Sequence, residues 1–155
     1  MGRIGLYLKV LPLALMLAGT AVAVETPVAP AAPETQAGPA LATQWQDVIT
    51  GQIEAFRAKD APGAFQYAAA PFQMAFPSAE AFFGAIIGSG YGPIMESASH
   101  SFGDFTKLDE RSVAQVVWLT GKDLSRFEAV YIMTEEQGGW RVSGVQLAKT
   151  PGLSV

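Results

Sequence analysis

The chain carries one histidine and no cysteine, so its capacity for chemistry is narrow from the outset. The absence of cysteine removes thiol nucleophiles, thiolate metal sites and disulfides together. His100 would need a carboxylate to orient it for general-base work. Asp104 follows four residues later in the same extended stretch, on the same face by alternation but too far along the strand to touch it. One imidazole without thiolates gives little basis for a metal site. Asp109-Glu110 and Glu135-Glu136 fall in polar turns, where solvation accounts for them. Asp60 stands where a helix cap is required and reads as that rather than as a base. No glycine-rich phosphate loop precedes a helix, and no G-x-S-x-G elbow occurs. No catalytic residue, metal ligand or cofactor is therefore assigned. Tyr67, Tyr91 and Tyr131 could bring hydroxyls to an apolar cavity, although each also reads as a core ring with a bonded tip. With Gln52 and Gln115 they make the candidate ligand set: a mainly apolar pocket with a few polar points.

The element that must position Gln52 is an amphipathic helix from Thr43 to Asp60. At about 100° per residue, Trp45, Val48, Ile49, Ile53 and Phe56 share one side, and Gln46, Asp47, Glu54 and Arg57 the other. Gln52 interrupts the apolar arc, and a buried amide needs partners. Thr43 is the expected N-cap. Gly51 costs helix stability of roughly 1 kcal/mol relative to alanine, which suggests another element approaching closely there. Asp60 caps a short second helix with Pro62 in its first turn. Ala68, Ala69, Ala70 and Pro71 end it. Phe72–Phe76 reads equally as a short strand or a helical turn. Ser78 caps a third helix carrying Phe82, Phe83, Ile86 and Ile87, which Gly88-Ser89-Gly90 should stop. Tyr91-Gly92-Pro93-Ile94 then reads as a rigid connector.

From Ser97 onward the pattern changes to alternation, and four strands are expected: 97–106, 112–120, 126–134 and 140–148. Short polar connections make consecutive strands antiparallel. Gly144 marks a bulge. Val113, Val117 and Leu119 should oppose Ala114, Val116 and Trp118, and Phe127, Tyr131 and Met133 should oppose Val130 and Ile132. Both faces are thus partly apolar. If helices cover one, the other needs a partner or tolerates exposed patches.

Before the helix, Arg3 and Lys9 flank an apolar run, Val10–Ala18, followed by Ala21-Val22-Ala23, a small-residue cleavage site. This is the grammar of a secretory signal peptide, residues 1–23, and it predicts export to the periplasm or medium. The run is short for a membrane span, so no stable membrane insertion is expected after cleavage. Thr20 stands where a lipoprotein signal requires cysteine. Cleavage removes two of ten basic residues and none of fourteen acidic ones, which changes the formal charge from −4 to −6. So acidic a product argues against nucleic-acid partners. Residues 24–42, rich in proline and alanine, read as a disordered tether; residues 43–150 make one α+β domain and 151–155 a tail.

The run WQDVITGQIEAFRAKDAPGAFQYAAAPF from Trp45, with GYGPI at 90–94, Gln115–Val117, Ala129–Tyr131 and Trp140–Gly144, resembles a bacterial exported domain-of-unknown-function family akin to the nuclear-transport-factor-2-like superfamily. That resemblance spans about Thr43 to Leu147. It implies helices packed on a curved four-stranded antiparallel sheet, a cone enclosing a cavity. Relatives of this shape include isomerases and dehydratases with an Asp, His or Tyr inside. At 121–124, Gly-Lys-Asp-Leu stands where the family leads one to expect an Asp-Gly turn. The leading expectation is a non-catalytic domain that binds a small apolar or mixed ligand, or a protein partner. The alternatives are an isomerase- or hydrolase-type enzyme acting in the cone and an accessory subunit. The open sheet face could serve a homodimer or another protein.

Overall fold

The computed structural model describes residues 39–150. The expected signal sequence and cleavage site, residues 24–38 of the expected tether and the expected tail at 151–155 lie outside them. Among these residues five α-helices precede four strands: α1 (Pro39–Arg57), α2 (Ala61–Gln66), α3 (Ala70–Ala75), α4 (Ala79–Ile86), α5 (Gly92–Glu96), then β1 (Ser97–Asp109), β2 (Ser112–Gly121), β3 (Arg126–Glu136) and β4 (Gly139–Lys149). The strands form one antiparallel sheet in the order β1-β2-β3-β4. The fold class is α+β, as expected. Among the described residues no helix is long and apolar enough to cross a membrane.

The core lies between α1 and one face of the sheet. From α1 come Trp45, Ile49, Ile53 and Phe56; from the sheet come Val113, Val117, Leu119, Ala129, Tyr131, Met133 and Val142, all buried. The alternation assigned to β2 and β3 is the one observed, because Val113 pairs with Met133, Gln115 with Tyr131 and Val117 with Ala129 on the inner face. Each large side chain withdrawn from water there contributes on the order of 1.5–3 kcal/mol. The outer face carries Ala114, Val116, Trp118, Val130 and Ile132, mostly half-buried.

Several local expectations are corrected. Helix α1 begins at Pro39, so Thr43 lies inside it and does not cap it. Proline is suited to a first turn, where its missing N–H would have had no partner. Gln46 and Arg57 are half-buried, because both reach inward at the flanks of the helix to bond the sheet and its approaches. Of the two readings of Phe72–Phe76, the helical one holds over Phe72–Ala75, part of α3 with Pro71 in its first turn. Gly88-Ser89-Gly90 does end the helix that begins with α4, because Gly90 at φ 97° is left-handed and non-helical. The chain kinks there, within Ile87–Tyr91, and Pro93 sits in the first turn of α5. The caps at Asp60 and Ser78 are as expected: each side chain accepts from the backbone N–H three residues on.

The register shifts at three places in the β1–β2 pairing and at one in the β3–β4 pairing, and two of these shape the sheet near the candidate residues. In β4 the register slips by one residue at Ser143, since Ile132 faces Gly144 and Met133 faces Val142, so Gly144 does mark a bulge. In β1 one of the three slips falls between Phe102 and Phe105. It breaks the alternation that would have placed Asp104 on the histidine's face, and Asp104 is exposed. Between α2 and α3 the chain clips to β4: Val142 N–H donates to Tyr67 O at 2.8 Å and Ala69 N–H to Val142 O at 2.9 Å.

Candidate functional site

The helices do not fill the space over β4. A cavity of about 200 Å³ remains, bounded by Gln52 and Phe56 of α1, Phe82 and Ile86 of α4, Tyr91, and Val145 of β4. Its making is legible in the local structure. The link at Tyr67–Ala69 ties the helical layer to β4 at one end, and the kink at Gly90 carries Tyr91 over the strand at the other. Tyr91 Oη donates to Val145 O at 2.8 Å, so its ring forms a wall and its hydroxyl is already used. A carbonyl near a bulge is free to accept such a bond because the ladder is locally disturbed.

Gln52 is the polar point of this cavity. It is buried, and its Nε2 donates to Ala64 O at 3.2 Å. Among the described residues no hydrogen bond engages its Oε1. The amide thus satisfies a backbone carbonyl with one end and can offer the other to a guest. The remaining walls are hydrocarbon, apart from the Tyr91 phenol, and no carboxylate or imidazole lines them.

The five candidate residues do not converge. Gln52 and Tyr91 line the cavity; Tyr67, Gln115 and Tyr131 lie elsewhere. Tyr67 packs its ring tip against Gly51 of α1. Gln115 is fully buried and tied on both ends. Its Oε1 accepts from Trp45 Nε1 at 3.0 Å and Gln46 Nε2 at 3.1 Å, and its Nε2 donates to Gly103 O at 2.8 Å and Val116 O at 2.9 Å. It is the polar bolt that joins α1 to the bulged edge of β1. Tyr131 is wholly buried, and its hydroxyl has no partner among the described residues. Burial pushes that phenol well above its usual range.

A second polar arrangement lies on the β1 side of α1, and only the fold reveals it. His100 Nδ1 lies 3.3 Å from Arg57 Nη2, and its Nε2 lies 3.1 Å from Thr50 Oγ1. A guanidinium can only donate, so Nδ1 accepts, Nε2 carries the proton, and Thr50 accepts it. Arg57 also donates from Nε and Nη2 to Ser97 Oγ at 3.1 and 2.9 Å, and Ser97 Oγ in turn donates to Ile94 O at 2.8 Å. Burial first, and Arg57 second, hold the imidazole below its ordinary range. Among the described residues no carboxylate bonds the ring, so the set as described lacks the orienter of a catalytic triad. Its signal in the sequence was weak: the partners are 40 to 50 residues apart. Among the described residues no three of His, Asp and Glu gather as metal ligands.

Comparison with known proteins agrees with this architecture. Residues 40–155 match the model of a family described as a domain of unknown function, DUF4864. No curated protein matches the sequence. Among solved structures, a domain of unknown function with a cystatin-like fold from Nostoc punctiforme is similar with a TM-score of 0.53 at 8% identity, over 74% of this chain and 80% of that one. An NTF-2-like protein of unknown function from Silicibacter pomeroyi gives 0.49 at 10% identity, over 72% and 97%. An NTF2-like protein with a cystatin-like fold from Novosphingobium aromaticivorans gives 0.46 at 12%, over 73% and 84%. At such identities the likeness concerns the fold alone.

Proposed function

The chain belongs to the DUF4864 family, and from that starting point we propose that it is a non-catalytic binding module for a small, mainly apolar molecule with one hydrogen-bonding group. The observation that carries this reading is the hydrocarbon cavity of about 200 Å³ with Gln52 at its wall. Ligand pockets for drug-sized molecules run to roughly 300–1,000 Å³. A dry cavity of about 150 Å³ is enough to admit benzene. A single ring with a short substituent is therefore the scale of guest, and a hydroxyl or N–H on it would meet Gln52 Oε1. The walls supply no acid, base or nucleophile of ordinary reactivity, which favours binding over turnover.

Native mass spectrometry of the exported protein tests this, with indole as a surrogate guest. A retained small molecule, or a rise in Tm with indole, is the expected result. Val145→Phe, which fills the cavity from β4, should abolish either effect while keeping the melting temperature. Absence of both a retained molecule and an indole response would refute the reading. We further read the chain as exported, on the strength of Arg3, Lys9, the apolar run and Ala21-Val22-Ala23. N-terminal sequencing should begin at Val24, and a protein retaining Met1 would overturn that.

One observation favours a second reading, a homodimer through the outer sheet face. Trp118 is 37% exposed there, beside Val116 and Val130. Sedimentation of the wild type against Trp118→Ser would decide it; a monomer in both removes this reading.

A further inference from the structure

A groove of about 590 Å³ runs beside the C-terminal end of α1 and shares no lining residue with the apolar cavity. We propose that this groove is a second site, for a small amphipathic carboxylate. Arg57 forms part of its wall. The partners that fix this guanidinium, Ser97 Oγ and His100 Nδ1, are both neutral. Ser97 spends its own hydrogen on Ile94 O, and His100 spends its proton on Thr50, so both can only accept from the arginine. The side chain is half-buried and held in one orientation, and among the described residues no carboxylate bonds it, Glu54 acting on it through charge alone. Nε and both Nη2 hydrogens go to Ser97 and His100, so Nη1 is the donor left for an anion, on a partly desolvated cation held in one place.

The rest of the groove agrees in sign and in polarity. Lys59, Lys122 and Lys149 outnumber Glu96 and Asp123 on its walls, although the chain as a whole is acidic. Asp123 is already occupied, its carboxylate accepting from Ser125 N–H and Oγ–H across the β2–β3 turn. Phe127, Met95 and Pro93 supply hydrocarbon between the charges. A carboxylate on Arg57 with a short apolar tail against Phe127 would satisfy both features, and the volume is within the ordinary range for a small-molecule site.

Titration of the ¹⁵N-labelled chain with hexanoate tests the proposal. The expected result is saturable amide shifts at 121–127 and Lys59. Arg57→Gln should remove them. Lys122→Ala/Lys149→Ala, two exposed changes that spare the fold, should weaken binding roughly fivefold or more through lost charge complementarity. His100, as the sole histidine, gives one unambiguous ring signal, and its pKa should rise on saturation because the bound anion offsets the charge of Arg57. Four results would overturn the proposal: no saturation by about 10 mM, beyond which binding is weaker than roughly −3 kcal/mol; equal groove shifts with hexanol; equal affinity for inorganic phosphate; or shifts confined to Gln52, Tyr91 and Val142–Val145. The last would return hexanoate to the apolar cavity and leave that reading intact.

Discussion

Gly51→Ala is the substitution whose sign is set by structure against propensity. In an isolated helix the change gains about 1 kcal/mol. Here a methyl at position 51 would lie 2.5 Å from both Cζ and Oη of Tyr67 and 3.0 Å from its Cε2. Comfortable carbon contacts are about 3.5–4.0 Å, so the tyrosine must move by an ångström or more. Its backbone cannot follow freely, since Tyr67 O is held by Val142 N–H at 2.8 Å. Overpacking of this kind costs roughly 1–3 kcal/mol. After the helix gain is subtracted, Gly51→Ala should destabilise by about 0–2 kcal/mol. Tyr67→Ala removes the obstacle, and in that background Gly51→Ala should stabilise by about 1 kcal/mol. The four urea melts of the cycle therefore give a coupling of roughly 1–3 kcal/mol, provided m is unchanged. Equal stabilisation by alanine in both backgrounds would refute the contact.

Three further outcomes are expected. Gln52→Leu leaves Ala64 O unpaired and should cost about 1–3 kcal/mol in a urea melt, with loss of any retained guest; unchanged stability would mean that the 3.2 Å bond contributes nothing. His100 binds its proton less readily folded than unfolded, so the unfolded chain gains more protons as pH falls below about 6.5 and stability falls with it. Wild type should lose urea resistance between pH 7.5 and 5.5 more steeply than His100→Gln, and parallel profiles would contradict this. Leu124 is 80% exposed and holds φ 65° in the β2–β3 turn. Since a left-handed conformation costs a non-glycine residue roughly 1–2 kcal/mol, Leu124→Gly should raise stability by about 0.5–1 kcal/mol after the unfolded-chain entropy of glycine is set against it; a lower denaturation midpoint would refute that.

What could be read in advance was what depends on short-range pattern. The helical arc of Trp45, Ile49, Ile53 and Phe56 and the alternation in β2 and β3 are periodic signals, and both faces came out as expected. Gln52 stood out because it broke such a pattern, whereas Tyr91 was one of three tyrosines with a hydroxyl to offer a cavity, and nothing local set it above Tyr67 and Tyr131. The rest depends on register. Nothing local tells that Arg57, polar on an outer arc, will bend back to Ser97 forty residues on. Nor does alternation foresee the bulge that sends Asp104 outward and lets Gly103 sit under Trp118, where a methyl would come within 2.9 Å of the indole nitrogen. Gln115 looked like a lining residue because a polar side chain among valines invites that reading. Its four bonds are made by groups from α1, β1 and β2, which only the assembled sheet brings together.

The Trp45–Gln115 bond spans 70 residues, whereas every strand pairs with its neighbour in the chain. The two parts of the domain therefore differ in when they can form. The hairpins close short loops and can assemble as soon as their residues are available. Helix α1 is made first during synthesis, and α4 can meet its C-terminal end through Phe56, Phe82 and Phe83, but Trp45 has no surface to dock on until β2 exists. Until then Trp45 stays exposed to other chains. Docking of α1 is the step with the greatest sequence separation and should be the slow one. The quenching environment of Trp45, edge-on to Phe105 and Trp140 at about 5 Å, should appear only with that step, so stopped-flow fluorescence would follow it after far-ultraviolet dichroism has reported the sheet.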